Sequence, residues 1–184
     1  METFKLFLPL ILSGFVVLMT LSFVLGVFMG GPFIPTHERK VGKMLKLAKL
    51  KKGEKVVDLG AGDGRFVIAA ARLGFTAVGV EINPFQVWWC RLRIRLAGLS
   101  KRATVVRGDI FKYDLRDADV VICYLFPETN AKLQPKLLRE LKPGARVLTN
   151  TFAFKGWKAT ARDEKEKLFV YTMGKIRDSK KKKS

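Results

Sequence analysis

The stretch Val56-Val57-Asp58-Leu59-Gly60-Ala61-Gly62-Asp63-Gly64-Arg65 constrains this chain more than any other. An apolar run, an acid, and glycines at three alternate positions read as a buried strand, a turn and the start of a helix. Glycines so spaced let the backbone take left-handed conformations and approach a ligand closely, and the helix behind them presents unpaired N–H groups. Two nucleotide-binding patterns compete for such a turn. A dinucleotide site wants G-x-G-x-x-G, but here Gly64 follows Gly62 by only two residues, so the third glycine comes one position early. No Gly-Lys-Ser/Thr follows, which excludes a P-loop. The added feature is Asp58, an acid inside the strand end. It is poor company for a pyrophosphate and suits an amino group on the ligand.

The rest of the chain is placed by distance from that turn. Strands are predicted at 55–59, 76–81, 103–107, 119–124 and 146–151. Helices alternate with them at 65–73, 84–97 and 129–141, the second capped by Asn83 with Pro84 in its first turn. This is an α/β pattern with a mostly parallel sheet. Two further strands, around 157–162 and 167–173, are joined by Asp163-Glu164-Lys165-Glu166, too short for a helix, and must pair as an antiparallel hairpin. On the helix over 84–97, Phe85, Trp88, Trp89, Leu92 and Leu96 share one face, with Arg91 and Arg95 along its edge. That stripe predicts core packing; a role at a membrane interface is the second reading.

Ahead of this domain, residues 6–36 contain no Asp, Glu, Lys, Arg or His. As a helix, Leu6 to Phe28 would rise about 35 Å, enough to cross a bilayer with some tilt. A cleaved signal peptide fits less well: Lys5 is offset by Glu2, the apolar run is long, and no small-x-small site follows. The expected organisation is a transmembrane anchor at 1–31, a juxtamembrane linker and amphipathic helix at 32–54, the α/β domain at 55–176, and a basic tail at 177–184. The helix is expected from Thr36 to about Leu50, with Val41, Met44, Leu45 and Ala48 on one face and Lys43, Lys46 and Lys49 opposite. Arg39, Lys40, Lys43 and Lys46 follow the span, so the positive-inside rule puts the domain on the cytoplasmic face. The chain holds 35 Lys+Arg against 16 Asp+Glu, a formal +19. Such a balance points to a nucleic-acid backbone or an anionic lipid surface, while for any single lysine solvation is reason enough. Cys90, Cys123 and the sole histidine, His37, have no metal-ligand spacing, so no metal site is expected.

The D-x-G-x-G-x-G arrangement resembles the S-adenosylmethionine (SAM) motif of the seven-stranded, class I methyltransferases, a Rossmann-like fold. The resemblance implies that Asp58, Gly60, Ala61, Gly62 and Gly64 cradle SAM as cosubstrate. Glu81, with Ile82 beside it, would hold both ribose hydroxyls, and Asp109 and Ile110, after Gly108, would meet the adenine. The segment Tyr124-Leu125-Phe126-Pro127-Glu128-Thr129 would face the methyl group, with Tyr124 touching both cosubstrate and acceptor. Nucleic-acid amino methyltransferases show Asp/Asn-Pro-Pro-Tyr/Phe at this place, and this chain does not. Tyr124 and Phe126 could line a channel for an alkyl ammonium. Glu128 either orients the amine or caps the following helix. A lysine acceptor must be neutral, and an unperturbed one lies about three pK units from that state at neutral pH, roughly 4–5 kcal/mol.

A closer resemblance rests on the apolar N-terminus, Pro32-Phe33-Ile34-Pro35-Thr36, Asp58 to Arg65 running into Ile68-Ala69-Ala70-Ala71, and Glu81-Ile82-Asn83-Pro84. Tyr124 through Asn130, Thr151-Phe152 and Gly156-Trp157 extend it. These are similar to the membrane-anchored lysine methyltransferases that, in mitochondria, modify the c-ring protein of ATP synthase and the adenine nucleotide carrier. The resemblance implies lysine methylation of a membrane protein. With no Arg/Ser-rich presequence, the expected home is a prokaryotic plasma membrane. The rivals are an RNA, lipid or small-molecule methyltransferase, and a SAM-binding membrane protein without catalysis, which the intact Asp58, Glu81 and Asp109 disfavour. Spacing says nothing of oligomeric state.

Overall fold

The computed structural model describes residues 7–14, 16–17, 20 and 38–176. The chain divides into two compact units, 1–35 and 36–184. In the first, residues 7–14 are helical and their apolar side chains, among them Leu10 and Ile11, are exposed. The Ser13 and Thr20 hydroxyls donate to the carbonyls of Leu10 and Val16, 3.0 and 2.8 Å away. Among the described residues no helix is long and apolar enough to cross a membrane. Most of the span expected at 1–31 lies outside the described residues, as do the linker to residue 37, including His37, and the tail at 177–184.

The second unit contains α1 (Glu38–Leu47), β1 (Lys55–Leu59), α2 (Arg65–Arg72), β2 (Thr76–Glu81), α3 (Pro84–Leu96), β3 (Ala103–Arg107), β4 (Val120–Cys123), α4 (Pro127–Glu140), β5 (Arg146–Asn150), β6 (Ala161–Asp163) and β7 (Leu168–Thr172). They form one seven-stranded sheet in the order β3-β2-β1-β4-β5-β7-β6. The neighbours among β1 to β5 pair in parallel. Strand β7 inserts antiparallel between β5 and β6, and β6 pairs antiparallel with it, as a hairpin requires. Side chains alternate across the central strands. Val56, Val120 and Ile122 join the apolar layer under α1, α2 and α3. Val57, Leu59, Val121 and Cys123 join the other layer, with Leu133 and Leu137 of α4. Burial on both faces is why β4 reads as an unbroken apolar run and why in β1 only Asp58 interrupts the apolar residues after Lys55.

Helix α1 buries the stripe its spacing predicts: Val41, Met44, Leu45 and Ala48 are all but inaccessible. Its C-terminal end is tied to the sheet by Arg146 at the start of β5. That guanidinium donates to the carbonyls of Ala48 and Lys49 at 2.8 and 2.7 Å and pairs with Glu54. The orphan carbonyls of a helix end are thus satisfied by one cation.

Several expectations differ from the structure. Strand β6 is the short Ala161–Asp163 where a strand around 157–162 is expected, and α1, expected from Thr36 to about Leu50, is described from Glu38 and ends at Leu47. The stripe Phe85, Trp88, Trp89, Leu92 and Leu96 is not the packed face of α3. Val87, Cys90 and Ile94 are buried, while Trp88, Trp89 and Leu96 are 56%, 40% and 77% exposed. Two apolar stripes share this helix, and the narrower one, with a small cysteine at its centre, is the one that fits against the sheet. Helix α4 begins at Pro127, not Thr129, because Phe126 is extended and proline is preset for the first helical position. Strand β4 ends at Cys123, so Tyr124 belongs to the loop beyond it.

Because Arg146 is largely buried against an equally buried Glu54, removing it takes the donor from two helix-end carbonyls and leaves Glu54, which also accepts from the Lys51 N–H at 2.6 Å, without its countercharge. Arg146→Met should lower stability by about 2–4 kcal/mol. Urea unfolding would show this as a lower midpoint with an unchanged slope; an unchanged midpoint would remove the assigned role.

Candidate active site

Parallel strands carry their ligands beyond their C-terminal ends, and here those of β1, β2, β3 and β4 gather the residues picked out in the sequence. The turn after β1 is bound to the neighbouring strand: Gly60 and Ala61 both donate to the Val80 carbonyl, at 2.9 and 3.1 Å. Gly60, Gly62 and Gly64 all have positive φ, 80°, 54° and 78°. Gly64 is fixed twice, since a Cβ there would also lie 2.2 Å from Cys90 Sγ of α3. The third glycine is therefore early in order to bring α3 against the turn. Cys90 itself is inert: burial, then the charges of Asp58 and Asp63, push its thiol up to about 12.

Beneath the turn, Asp58 is 3% exposed and its Oδ2 has no hydrogen-bond partner among the described residues. Burial, then the negative charges of Glu81 and Asp63, push its carboxyl from the ordinary 3.8 up to about 8. An orphaned acid in apolar surroundings is unstable as a charge until a cation arrives. Glu81 is also buried. Its Oε2 accepts from the Gly62 N–H and its Oε1 from the Asn83 N–H, both at 2.9 Å. This carboxylate thus holds the glycine turn and the entry to α3 while each oxygen keeps a lone pair for a ligand hydroxyl. Ile82 lies half-buried between Glu81 and Asn83, whose Oδ1 caps α3 by accepting from Phe85 and Gln86.

After β3, Gly108 donates to the Glu81 carbonyl at 3.0 Å, bringing Asp109 and Ile110 to the same edge. Asp109 Oδ1 accepts from the Phe111 N–H at 2.9 Å, which shapes that loop, and Ile110 is half-buried. After β4, the Leu125 side chain closes on the turn, 3.0 Å from where a Cβ at Gly60 would lie. Tyr124 and Phe126 are half-buried beside it. Glu128 is exposed in the first turn of α4, one residue past Pro127, so it is not the N-cap. Asp58, the glycine turn, Glu81, Ile82, Asp109 and Tyr124 are thus brought to one edge, with Glu128 at its margin.

Several participants were not singled out from the sequence. Asp63 accepts from Arg65 Nε at 2.9 Å, and Arg93 of α3 donates to its carbonyl at 2.8 Å and pairs with its carboxylate. Burial opposes ionisation of Asp63, but the hydrogen bonds and charge of Arg65 and the charge of Arg93 outweigh it and hold the carboxyl below its usual range. Asn130 is fully buried and its Nδ2 reaches the carbonyls of Leu125 and Phe152, at 3.3 and 3.5 Å. It stitches the loop after β4 to the loop after β5, where Phe126 and Phe152 face each other at 6.3 Å. Thr151, at φ 67°, is a β-branched residue in the left-handed region, a strained backbone at the same edge. An asparagine within a helix pattern was the available signal for the stitch; the Asp63–Arg93 contact, spanning 30 residues, left none.

Seven strands in this order, with one acid under a glycine turn at β1 and another at the end of β2, define a Rossmann-like methyltransferase fold. Residues 58–161 match the model of the ANTKMT methyltransferase domain, and the chain belongs to that family. The protein-lysine N-methyltransferase of Saccharolobus islandicus (strain REY15A) is 43% identical over 129 residues, covering 68% of this chain and 80% of that protein. The Homo sapiens lysine N-methyltransferase named for the C subunit of ATP synthase is 38% identical over 126 residues, 68% of this chain and 54% of that protein. The chain thus matches about half the length of the human relative. Among solved structures, an RNA methyltransferase from Salinibacter ruber in complex with S-adenosyl-L-homocysteine superposes with TM-score 0.73 at 36% identity, covering 76% of this chain and 94% of that one.

Asp58 makes an opposed pair of effects testable. Its folded value lies above its unfolded one, so between about pH 4 and pH 8 the folded chain holds a proton that the unfolded chain has released. Ligand-free stability therefore falls as pH rises through that window and levels off above it. Asp58→Asn should raise ligand-free stability by about 1–3 kcal/mol at pH 8.5, while abolishing SAM binding. Thermal unfolding and calorimetry check both; a variant that binds SAM as before would overturn the site.

Proposed function

We propose that this chain is a SAM-dependent protein-lysine N-methyltransferase whose acceptor is a membrane protein. The observation that carries the cosubstrate is the buried Asp58 carboxylate, its Oδ2 without a partner among the described residues, under a positive-φ glycine turn, with Glu81 beside it. Those groups suit a ligand that brings an ammonium and a pair of ribose hydroxyls. Relatives named for lysine methylation support the acceptor class, and the human one is named for a component of ATP synthase.

SAM would supply the methyl group. A neutral lysine amine would attack the methyl carbon in line with the C–S bond, the bonding pair would leave with the sulfur as S-adenosylhomocysteine, and the methylated ammonium would shed its proton to solvent. The chain's part is position and exclusion of water more than acid–base work. Asp58 would neutralise the ammonium of the amino-acid end, Glu81 would fix the ribose, and Asp109 with Ile110 would bound the adenine. Tyr124, Phe126 and Phe152 offer aromatic walls to an alkyl ammonium, and Asn130 keeps the loops that carry them together. Glu128, exposed at the margin, would orient the incoming amine.

The apolar, uncharged stretch at 6–36 is best read as a membrane tether, with the domain on the cytoplasmic face of a prokaryotic plasma membrane. The exposed apolar side chains of residues 7–14 and the hydroxyls that satisfy themselves on helix carbonyls support that reading. A tethered, basic enzyme favours a substrate lysine held near lipid, where desolvation and like charge lower its pKa toward the neutral nucleophile. The second reading is RNA methylation, favoured by the name of the Salinibacter ruber structure and by the +19 charge.

Membranes incubated with the chain and SAM carrying a tritiated methyl group separate the two. Label should resist ribonuclease, yield to protease and appear as methyl-lysine on hydrolysis, at a rate rising with pH from about 6. Label lost to ribonuclease would establish the RNA reading, and a rate flat to about pH 10 would contradict an amine nucleophile.

A further inference from the structure

We propose that the outer face of α3 is a docking surface for anionic lipid, which rests on the membrane reading above and specifies where the domain meets the bilayer. Val87, Cys90 and Ile94 seat this helix on the sheet. Its other face leaves Trp88, Trp89 and Leu96 exposed, with Phe85 and Leu92 half-buried alongside. The rings form a continuous ridge: Phe85 and Trp88 are 5.9 Å apart and Trp88 and Trp89 6.2 Å. An apolar ridge of this size in water is an interaction surface.

The charge on the helix selects the occupant. Pro84–Leu96 holds Arg91, Arg93 and Arg95 and no acid. Arg93 faces inward to Asp63, while Arg91 and Arg95 are exposed, Arg91 with its guanidinium also reaching the Val105 carbonyl. A second copy of this chain would set arginines against arginines with no acid on the helix to answer them. Anionic headgroups answer them directly, tryptophan settles at headgroup depth, and leucine enters the acyl boundary. RNA could stack on the tryptophans but would leave the leucines without a partner. The ridge also starts where the cosubstrate groups end: Asn83, the cap of α3, shares the Glu81 carboxylate with the glycine turn. Docked on this face, the domain would hold its site at the lipid surface, within reach of a lysine emerging there.

The three tryptophans are Trp88, Trp89 and Trp157, so the N-terminal stretch contributes no tryptophan emission. The full chain is reconstituted with phosphatidylcholine vesicles with and without phosphatidylglycerol, some carrying brominated acyl chains. Flotation reads attachment, and quenching reads the depth of the rings. Bromine should quench emission at least about twofold more with phosphatidylglycerol than without. That quenching should vanish in Trp88→Phe/Trp89→Phe, whose exposed positions leave the fold intact. Arg95→Glu should weaken the phosphatidylglycerol dependence of that quenching, and a dependence unchanged from the parent chain would overturn the arginines as what selects the lipid. A chain that floats but stays unquenched and open to acrylamide overturns the docking surface alone; one that floats with neither vesicle overturns the membrane reading as well. A blue shift that depends on chain concentration without lipid, or quenching relieved by added RNA, overturns lipid as the occupant.

Discussion

The arrangement depends on one buried carboxylate whose Oδ2 has no hydrogen-bond partner among the described residues. Asp58 sits at the end of a strand covered on both faces, so water cannot solvate it, and its neighbours Glu81 and Asp63 carry its own sign. Asp63 has been answered, by Arg65 and Arg93, and Glu81 by two backbone N–H groups. Asp58 alone is left open. The fold tolerates it because it holds a proton near neutral pH, and a cationic ligand would reverse that state. The glycine turn above it takes positive φ at Gly60, Gly62 and Gly64, a backbone course that glycine adopts without the strain a side chain would bring.

What could be read from the sequence follows the same physics. The strands β2, β1, β4 and β5 announced themselves by their apolar residues because both faces of the sheet are covered there, while β3, at the edge, alternates between buried and exposed. Asp58, Glu81 and Asp109 were legible through their order along the chain and its resemblance to the class I methyltransferases, since an acid at one strand end is by itself often just a surface turn. The packed face of α3 was not legible. Phe85, Trp88, Trp89, Leu92 and Leu96 repeat with the same helical period as Val87, Cys90 and Ile94, and periodicity does not say which stripe meets the sheet. Close approach decided it, since Gly64 leaves room only for the small sulfur of Cys90. Helix α4 starts two residues ahead of Thr129 because Pro127, which looks like a loop residue in the sequence, serves as its first helical residue.

The acceptor side is built differently from the cosubstrate side. Backbone hydrogen bonds and buried acids fix the turn at β1 and β2, whereas the loops after β4 and β5 meet through Asn130 and a pair of phenylalanines. Such contacts join residues distant in sequence, which is why neither Asn130 nor Phe152 stood out as a site residue from spacing. Strain at Thr151 at the same edge is the kind of local conflict that functional loops retain. On the proposed reading, acceptor specificity would be carried by these loops, on a scaffold that specifies the cosubstrate.

The central claim is that Asp58 exchanges a proton for the ammonium of SAM. Calorimetric titration of the full chain with SAM at about pH 6.5, in buffers of different ionisation enthalpy, counts the protons exchanged on binding. With Asp58 at about 8, close to one proton should leave for each SAM bound. Tight binding with no net proton release would contradict the account.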